Sequence, residues 1–372
     1  MAVGVVLKGL EMDDAAFKSR LRAVRRALRG KNLDVLVVTS PANVTYLTGF
    51  CGDDSWAVVS TRGVYLVTDG RYTEQARCEC VGCRIVERSG PIAEAVAAVV
   101  GGLKQRASVA LEDGTSLAEH RELEKKLRRK VKVVHRIIED CRVVKDSHEA
   151  AAIRRAAVIA AEVLDKVILG IRPGVTESEV AAAVDYEICS TGYGTSFATI
   201  VAFGANASRP HHRPGRRKLK KNDTGLIDFG VRYKGYCCDV TRCFVLGRVG
   251  KLYQQAYDVV RRAQAAAISA AGPGVSASEV DAAARTVVEN SKLAVYRHGT
   301  GHGLGLEVHE LPVIAKNSKE KLRPGMIFTI EPAVYVPGKF GIRIEDDVEV
   351  TETGCRILSS RLQSSASFLK LD

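Results

Sequence analysis

A short segment that occurs twice in the second half of the chain constrains its fold more than any other feature. The copies read PGVTESEV from Pro173 and PGVSASEV from Pro273, one hundred residues apart. In each copy a hydroxyl residue, Thr176 or Ser276, precedes a glutamate by three positions, which is the capping-box pattern that begins a helix. Each copy also follows a long alanine-rich stretch. We therefore predict a duplicated helix-turn-helix unit.

Each copy of the repeat is followed by strand-like segments that carry two acidic residues among apolar neighbours. These residues are Asp228 in LIDFG and Asp239 in CCDVTR, then Glu331 in FTIEP and Glu345 in IRIEDD. A two-fold repeat that supplies one pair from each half would bring the four carboxylates together near its pseudo-symmetry axis. We expect the first pair to lie on a hairpin closed by a two-residue turn within RYKG, with Asp228 opposite Asp239.

Four ionised carboxylates that converge would repel one another, and their burial would be costly without a partner. His302, in GTGHGLGLEVH, adds an imidazole to the set. Oxygen ligands with one ring nitrogen suit Mn²⁺, Co²⁺, Fe²⁺ or Zn²⁺, whereas structural zinc favours thiolates. We therefore predict two divalent metal ions per subunit, held by Asp228, Asp239, His302, Glu331 and Glu345.

The order Asp, Asp, His, Glu, Glu in these contexts resembles the pita-bread metallopeptidases, a family that includes methionine aminopeptidase, aminopeptidase P and prolidase. The resemblance covers nearly the whole chain and implies an α/β (α+β) architecture. It assigns residues 1–145 to a creatinase/prolidase-like α/β domain and residues 146–372 to a pseudo-two-fold pita-bread catalytic domain. It also implies a homodimer. Strand-and-loop segments such as VLVVTSPANVTYLTGF, separated by helical stretches, fit the first of these domains.

The resemblance implies a role for each metal ligand. Asp239 and Glu345 would bridge both ions, Asp228 would complete one site, and His302 with Glu331 would complete the other, with Mn²⁺ as the expected metal. A hydroxide between the ions would be the nucleophile, and Glu331 would carry its proton.

Four further residues match positions that surround the substrate in the family. His298 and His309 correspond to histidines that stabilise the tetrahedral intermediate, so they join Glu331 as the expected catalytic residues. His211, in RPHHRP, matches a substrate-side histidine, and Arg343, in GIRIED, matches an arginine beside the last ligand. We assign His211 and Arg343 to substrate binding.

The leading functional hypothesis is an exopeptidase that hydrolyses the Xaa-Pro bond at the amino terminus of short peptides, as an aminopeptidase or a dipeptidase. A methionine aminopeptidase-like enzyme and a catalytically silent binding protein on the same fold remain as alternatives. The first usually lacks an N-terminal domain, and the second typically loses ligands. Ala198, where relatives commonly carry an acid, and the loop GDDSW at residues 52–56 leave the substrate contacts open.

Composition argues against several other classes. The 372 residues are 46% hydrophobic and contain no apolar run of membrane-spanning length, which fits a cytoplasmic two-domain enzyme. A net charge of +12 could indicate an anionic partner. However, no aromatic residues interleave with the basic runs at residues 125–132 and 209–221, so we interpret the runs as solvated faces rather than a nucleic-acid site.

Ten scattered cysteines indicate reduced thiols rather than a disulfide framework. Cys78, Cys80 and Cys83 could form a thiolate metal clip or a reduced surface cluster. The sequence lacks a clear fourth ligand for them, which favours the cluster.

Overall fold

Two units make up the chain, Met1–Arg142 and Val143–Asp372. The computed structural model describes residues 14–103, 106–363 and 369–371. Each unit has its own sheets and its own core of buried apolar side chains. Among the helices of these residues, none combines the length and apolarity that crossing a membrane requires.

The first unit is built on a six-stranded mixed sheet with the order β4-β3-β2-β1-β5-β6. Its elements in chain order are α1 (Asp14–Gly30), β1 (Val35–Val38), α2 (Pro41–Thr48), β2 (Trp56–Ser60), β3 (Val64–Asp69), α3 (Thr73–Glu79), β4 (Arg84–Arg88), α4 (Ile92–Leu103), β5 (Val109–Glu112), α5 (Leu117–Leu127), β6 (Lys132–Val134) and α6 (Glu139–Arg142). Strand β1 is buried along its whole length and pairs antiparallel with β2 and parallel with β5. A fully apolar strand is expected at the centre of such a sheet.

The strand-and-loop prediction for residues 35–50 is right for the strand, which is β1, and wrong for the second half of the segment, which forms helix α2. Pro41 lies in the first turn of this helix, and Gly49 ends it with a left-handed φ of 80°. Proline at the start and glycine at the end are strong helix-boundary signals. Val44 and Tyr46 favour strands in isolation, but both are buried against the core of the unit, and tertiary packing overrides their propensity.

The second unit contains two larger sheets, with the orders β20-β12-β9-β8 and β14-β13-β15-β18-β19, and two small ones, β11-β10-β7 and β16-β17. Its helices are α7 (Ser147–Val167), α8 (Glu177–Ser190), α9 (Lys251–Ala270) and α10 (Ala277–Asn290). Its strands are β7 (Gly194–Thr195), β8 (Ile200–Phe203), β9 (Asp223–Phe229), β10 (Val231–Tyr233), β11 (Tyr236–Cys237), β12 (Val240–Leu246), β13 (Gly301–Gly303), β14 (Glu310–Ile314), β15 (Ile327–Ile330), β16 (Ala333–Val336), β17 (Phe340–Arg343), β18 (Asp346–Val350), β19 (Cys355–Ile357) and β20 (Leu369–Leu371).

The predicted duplication is confirmed by the pairs α7–α8 and α9–α10. Helices α8 and α10 both begin with a complete capping box, from Thr176 and Ser276. The turns before them are also alike. The N–H of Gly174 donates to the carbonyl oxygen of Leu219 at 2.9 Å, and the N–H of Gly274 donates to the carbonyl oxygen of Leu322 at 2.8 Å. These glycines have φ values of 95° and 82°, which disfavour any residue with a side chain.

The two copies place their first acidic residue at the same distance along the chain. Asp228 lies nine residues after Leu219, and Glu331 lies nine residues after Leu322. The repeat therefore extends beyond the helices into the strands that carry the acidic residues.

Candidate metal centre

The first acidic pair lies on a long hairpin whose register is set by its turn. Tyr233 pairs with Tyr236 around Lys234 and Gly235, whose φ values of 49° and 86° are those of a two-residue hairpin turn. Counting outward from this turn gives the pair formed by Asp228 and Thr241.

The prediction that Asp228 lies opposite Asp239 is therefore wrong. Asp228 precedes Lys234 by six residues, whereas Asp239 follows Gly235 by four. Asp239 lies two residues from Thr241, on the same face of the hairpin and diagonal to Asp228.

The second pair is symmetric about its own hairpin. Ile330 pairs with Asp346 on one side and Ala333 with Arg343 on the other, in one continuous register. This register places Glu331 across from Glu345.

The two halves of the repeat meet at Thr241 and Glu345. These residues form an isolated antiparallel bridge, with the N–H of Glu345 3.3 Å from the carbonyl oxygen of Thr241. The hydroxyl of Thr241 also donates to Oε2 of Glu345 at 2.6 Å.

The carboxylates and His302 converge at this junction. Donor atoms of Asp239, His302 and Glu345 all lie within 4.8 Å of one another. Nε2 of His302 is 3.7 Å from Oδ2 of Asp239 and 3.7 Å from Oε1 of Glu331. Asp228 is close enough for its charge to raise the pKa of Glu345 and of Asp239. The structure thus brings the five predicted ligands together.

The raised pKa values of the clustered carboxyl groups show that their ionised forms are unfavourable without a nearby positive charge. Burial, followed by the charges of Glu345 and Asp228, raises the pKa of Asp239 well above its usual range. Burial and the charge of Asp228 raise the pKa of Glu345 to about 8. Burial and Glu345 also raise the pKa of Glu331. A bound cation would favour the ionised form of each carboxylate and so oppose these shifts.

Two further observations fit a metal site. Oδ1 of Asp228 and Oδ1 of Asp239 are buried without a hydrogen-bond partner, which is costly unless another electropositive group meets them. Nδ1 of His302 lies 3.1 Å from the carbonyl oxygen of Gly303, which can only accept, so the ring proton is on Nδ1. This leaves the lone pair on Nε2 for a metal. The donor set therefore suits divalent first-row cations.

His298 is half-buried beside this cluster. Its Nδ1 donates to the carbonyl oxygen of Gly299 at 2.7 Å, so its Nε2 accepts from the hydroxyl of Tyr335 at 3.2 Å. Burial lowers the pKa of His298 to about 4, and the ring is therefore neutral at physiological pH. Nδ1 also lies 3.8 Å from Oε2 of Glu331.

Arg343 is buried, with 4% of its surface exposed. It donates to Oδ2 of Asp228, to the hydroxyl of Thr241 at 3.1 Å and to the hydroxyl of Tyr335 at 2.7 Å. These contacts make Arg343 a support for Asp228, in addition to the substrate-binding role that we predicted for it.

The other two predicted histidines are exposed. The ring of His309 packs against that of His302, with centroids 4.3 Å apart and planes at 72°. His211 lies close enough to His298 to contribute to the lowered pKa of that ring, after burial and the neighbouring arginines. Its neighbour His212 instead contacts the buried carboxylate of Glu177.

Sequence reasoning missed three residues of the site, namely Thr241, Tyr335 and Asp347. Oδ2 of Asp347 accepts from the N–H of Asp239 at 3.2 Å, and its Oδ1 is buried without a partner. All three lie two or four residues from a predicted ligand, so strand alternation places them on the same face. That spacing was the available signal.

The structure also gives the positions of Ala198, of the loop at residues 52–56 and of the three neighbouring cysteines. Ala198 is exposed. Asp54, in the loop at residues 52–56, accepts from Arg71 and from Arg88, the latter at 3.0 Å. Cys78, Cys80 and Cys83 are free thiols, and Cys78 is the exposed one of these three.

Comparison with known proteins agrees with this geometry. Residues 151–352 match metallopeptidase family M24, and residues 20–144 match the creatinase/prolidase N-terminal domain. The chain is 34% identical over 346 residues to an uncharacterized peptidase, YqhT, of Bacillus subtilis (strain 168), which covers 91% of this chain and 97% of that one.

Two solved structures are similar over almost the whole chain. An Xaa-Pro dipeptidase from Bacillus anthracis has a TM-score of 0.91 and 30% identity, covering 95% of this chain and 100% of that one. An X-Pro aminopeptidase from Thermotoga maritima MSB8 has a TM-score of 0.84 and 32% identity, covering 93% and 100%.

Proposed function

The chain belongs to metallopeptidase family M24, and from this premise we propose that it hydrolyses the peptide bond that precedes proline at the amino terminus of short peptides. Membership makes it a peptide hydrolase, and the predicted architecture, a creatinase-type domain followed by a pita-bread domain, is confirmed. The observation that carries the proposal is the convergence of two acidic pairs, one from each half of the repeat, with His302 between them.

We infer that Asp228, Asp239, His302, Glu331 and Glu345 hold two divalent cations, with Mn²⁺ first among Mn²⁺, Co²⁺, Fe²⁺ and Zn²⁺. The unpartnered Oδ1 atoms of Asp228 and Asp239 and the free Nε2 of His302 support this inference. When bound, such a pair of cations would lower the pKa of a shared water and polarise the scissile carbonyl group.

The remaining chemistry falls to the side chains of the chain. Glu331 is half-buried, with its Oε1 3.7 Å from Nε2 of His302, and its carboxylate can take a proton from water and return it to the departing nitrogen. Burial keeps His298 neutral, and its hydrogen bonds with Gly299 and Tyr335 hold the ring in one tautomer. His309, exposed against the ring of His302, is available to contact the peptide.

The choice of proline rests on the two solved structures, whose names state Xaa-Pro and X-Pro substrates. The N-terminal domain supports it, since a methionine aminopeptidase-like enzyme would not be expected to carry one. We also expect a homodimer, which size-exclusion chromatography with light scattering would test.

The experiment is hydrolysis of a dipeptide Xaa-Pro and a tripeptide Xaa-Pro-Yaa by metal-stripped protein, before and after addition of Mn²⁺, Co²⁺ or Zn²⁺. Metal-dependent cleavage of the dipeptide alone defines a dipeptidase, and preference for the tripeptide defines an aminopeptidase. A peptide with alanine in place of proline is the control. If the metal-loaded protein cleaves neither proline peptide, the proposal fails.

A further inference from the structure

The segment from His298 to His302, which carries two histidines of the site, is attached to helix α10 by a buried carboxylate. Asp281 has 1% of its surface exposed, and its Oδ1 accepts from the N–H of Thr300 at 3.1 Å and from the hydroxyl of Thr300 at 2.7 Å. Thr300 lies midway between His298 and His302. Its carbonyl oxygen accepts from the N–H of Glu331 at 2.7 Å. Asp281 is thus linked through Thr300 to three residues of the site.

Arg285, one turn further along α10, attaches the same segment at a second point. Its Nε donates to Oδ2 of Asp281 at 2.6 Å. Its two terminal nitrogens donate to the carbonyl oxygens of Tyr296 at 2.9 Å and His298 at 2.5 Å. The guanidinium group holds these three acceptors at once, which a flexible ammonium group could not do.

Helix α8 of the first half has a comparable carboxylate. Glu177 is 0% exposed. Its Oε1 accepts from the N–H of Phe203 and from the side-chain amide of Asn206, both at 2.8 Å. Its Oε2 accepts from Nε2 of His212 at 2.9 Å and from the N–H of Gly215 at 3.1 Å. These donors lie on both sides of His211, so one carboxylate fixes the segment that carries this histidine.

The two carboxylates do not occupy equivalent positions of the repeat. Glu177 aligns with Ala277, and Asp281 aligns with Ala181, one helical turn further on. The two copies have therefore diverged in sequence and still use the same device, a buried acid on the second helix that collects donors from a histidine segment. A carboxylate buried this deeply is stable only when its acceptors are filled, so these segments have little freedom to move.

We propose that Asp281 and Glu177 are positioning residues with separate effects: Asp281 fixes the segment from His298 to His302 and so sets the metal centre, whereas Glu177 fixes the segment of His211 and so sets peptide binding. This rests on the proposed function, in which His302 binds metal and His211 contacts the peptide. Neither acid touches the substrate.

The test compares Asp281→Asn and Glu177→Gln with Glu279→Gln and Glu179→Gln, which change exposed capping-box glutamates on the same two helices. Each full-length protein is titrated with Co²⁺ alone, followed by visible absorption, and then assayed on Xaa-Pro. For Asp281→Asn we expect Co²⁺ affinity to fall about 10- to 100-fold, with an altered spectrum, as for other residues that orient a metal ligand. For Glu177→Gln we expect an unchanged Co²⁺ titration and KM raised about tenfold, since a charged hydrogen bond is lost.

The possible outcomes distinguish this inference from the proposed function. Wild-type protein that neither binds Co²⁺ nor cleaves Xaa-Pro would end the proposed function and this inference with it. A normal wild type with both variants matching their controls would overturn the inference alone. If both variants lost Co²⁺ affinity to the same extent and showed the same increase in KM, the inference would also be overturned. Such a result would indicate general destabilisation.

A second variant covers the case in which Asp281→Asn does not fold. Arg285→Lys keeps the positive charge beside Asp281 and loses the fork that reaches the carbonyls of Tyr296 and His298. We expect it to show the same weakened Co²⁺ binding and altered spectrum. A wild-type titration in Arg285→Lys would overturn the part of the proposal that concerns α10.

Discussion

Arg343 donates to Oδ2 of Asp228, and Oδ1 of the same carboxylate is buried without a hydrogen-bond partner. The guanidinium also reaches Thr241 and Tyr335, so its position is fixed from three sides. One oxygen of Asp228 is therefore committed to the protein, and the other is available to a cation. A carboxylate oriented in this way needs little reorganisation to bind a metal.

Arg343→Lys should weaken metal binding, because an ammonium group cannot hold Asp228, Thr241 and Tyr335 together. We expect a loss of affinity of about 10- to 100-fold, measured by Mn²⁺ titration of stripped protein. Arg356→Lys, which changes a surface pair with Glu349, is the control. A raised KM with normal Mn²⁺ affinity would instead support the substrate-binding role for Arg343.

Asp239→Ala and Glu345→Ala should each lose at least one metal ion and nearly all turnover. Loss of several kcal/mol of charge stabilisation corresponds to a decrease of about a thousandfold in kcat/KM. Metal content by mass spectrometry and Xaa-Pro hydrolysis should be measured on the same sample. Glu349→Ala, on strand β18 directly after Glu345, is the control. Full activity in Asp239→Ala would contradict its assignment as a bridging ligand.

His302→Ala and His309→Ala should separate metal binding from later steps, although the two rings are in contact. We expect His302→Ala to lose metal, since its Nε2 is the free donor, and His309→Ala to retain metal with a kcat reduced about a hundredfold, the scale of one positioned catalytic group. Metal content and kcat decide between them. The assignment of His309 fails if its variant loses metal as completely as His302→Ala.

Metal-free protein should become less stable as pH rises from about 5 to 8. Glu345 has a folded-state pKa of about 8 against an ordinary value of 4.5, and the pKa of Asp239 is also raised. Between these values the folded state binds more protons than the unfolded state, so the free energy of unfolding decreases with pH. Each pKa unit is worth about 1.4 kcal/mol.

Thermal melts of stripped protein at pH 5 and pH 8, with and without Mn²⁺, check this expectation. Added Mn²⁺ should remove the loss at pH 8, because the cation takes the place of the protons. Glu345→Gln should show a weaker pH dependence in the absence of metal. A stripped wild type with a higher Tm at pH 8 than at pH 5 would show that the cluster does not govern stability.

The features that could be predicted from the sequence are those with short-range causes. The capping boxes at Thr176 and Ser276 act over three residues, and the turn at Lys234 and Gly235 is set by local backbone preferences. The acidic residues stand out because each interrupts an apolar run. Their convergence is expected from the repeat, and the family resemblance implies it as well.

The features that could not be predicted depend on contacts between distant residues. Asp281 meets Thr300 across nineteen residues, and Arg343 meets Asp228 across 115. Nothing in the neighbourhood of either residue specifies its partner. The diagonal position of Asp239 relative to Asp228 could be predicted from the sequence, because the length of the turn fixes the register of the hairpin.

The equal nine-residue spacing from Leu219 to Asp228 and from Leu322 to Glu331 limits where this chain can tolerate insertions. One added or deleted residue within either span would turn the acid to the opposite face of its strand. The two copies already differ between their acids, with eleven residues from Asp228 to Asp239 and fourteen from Glu331 to Glu345. Insertions, including grafted reporter sequences, should therefore be tolerated at the tips of these hairpins, around Gly235 and Gly338. Insertions in the segments that follow Leu219 and Leu322 should disrupt the metal centre.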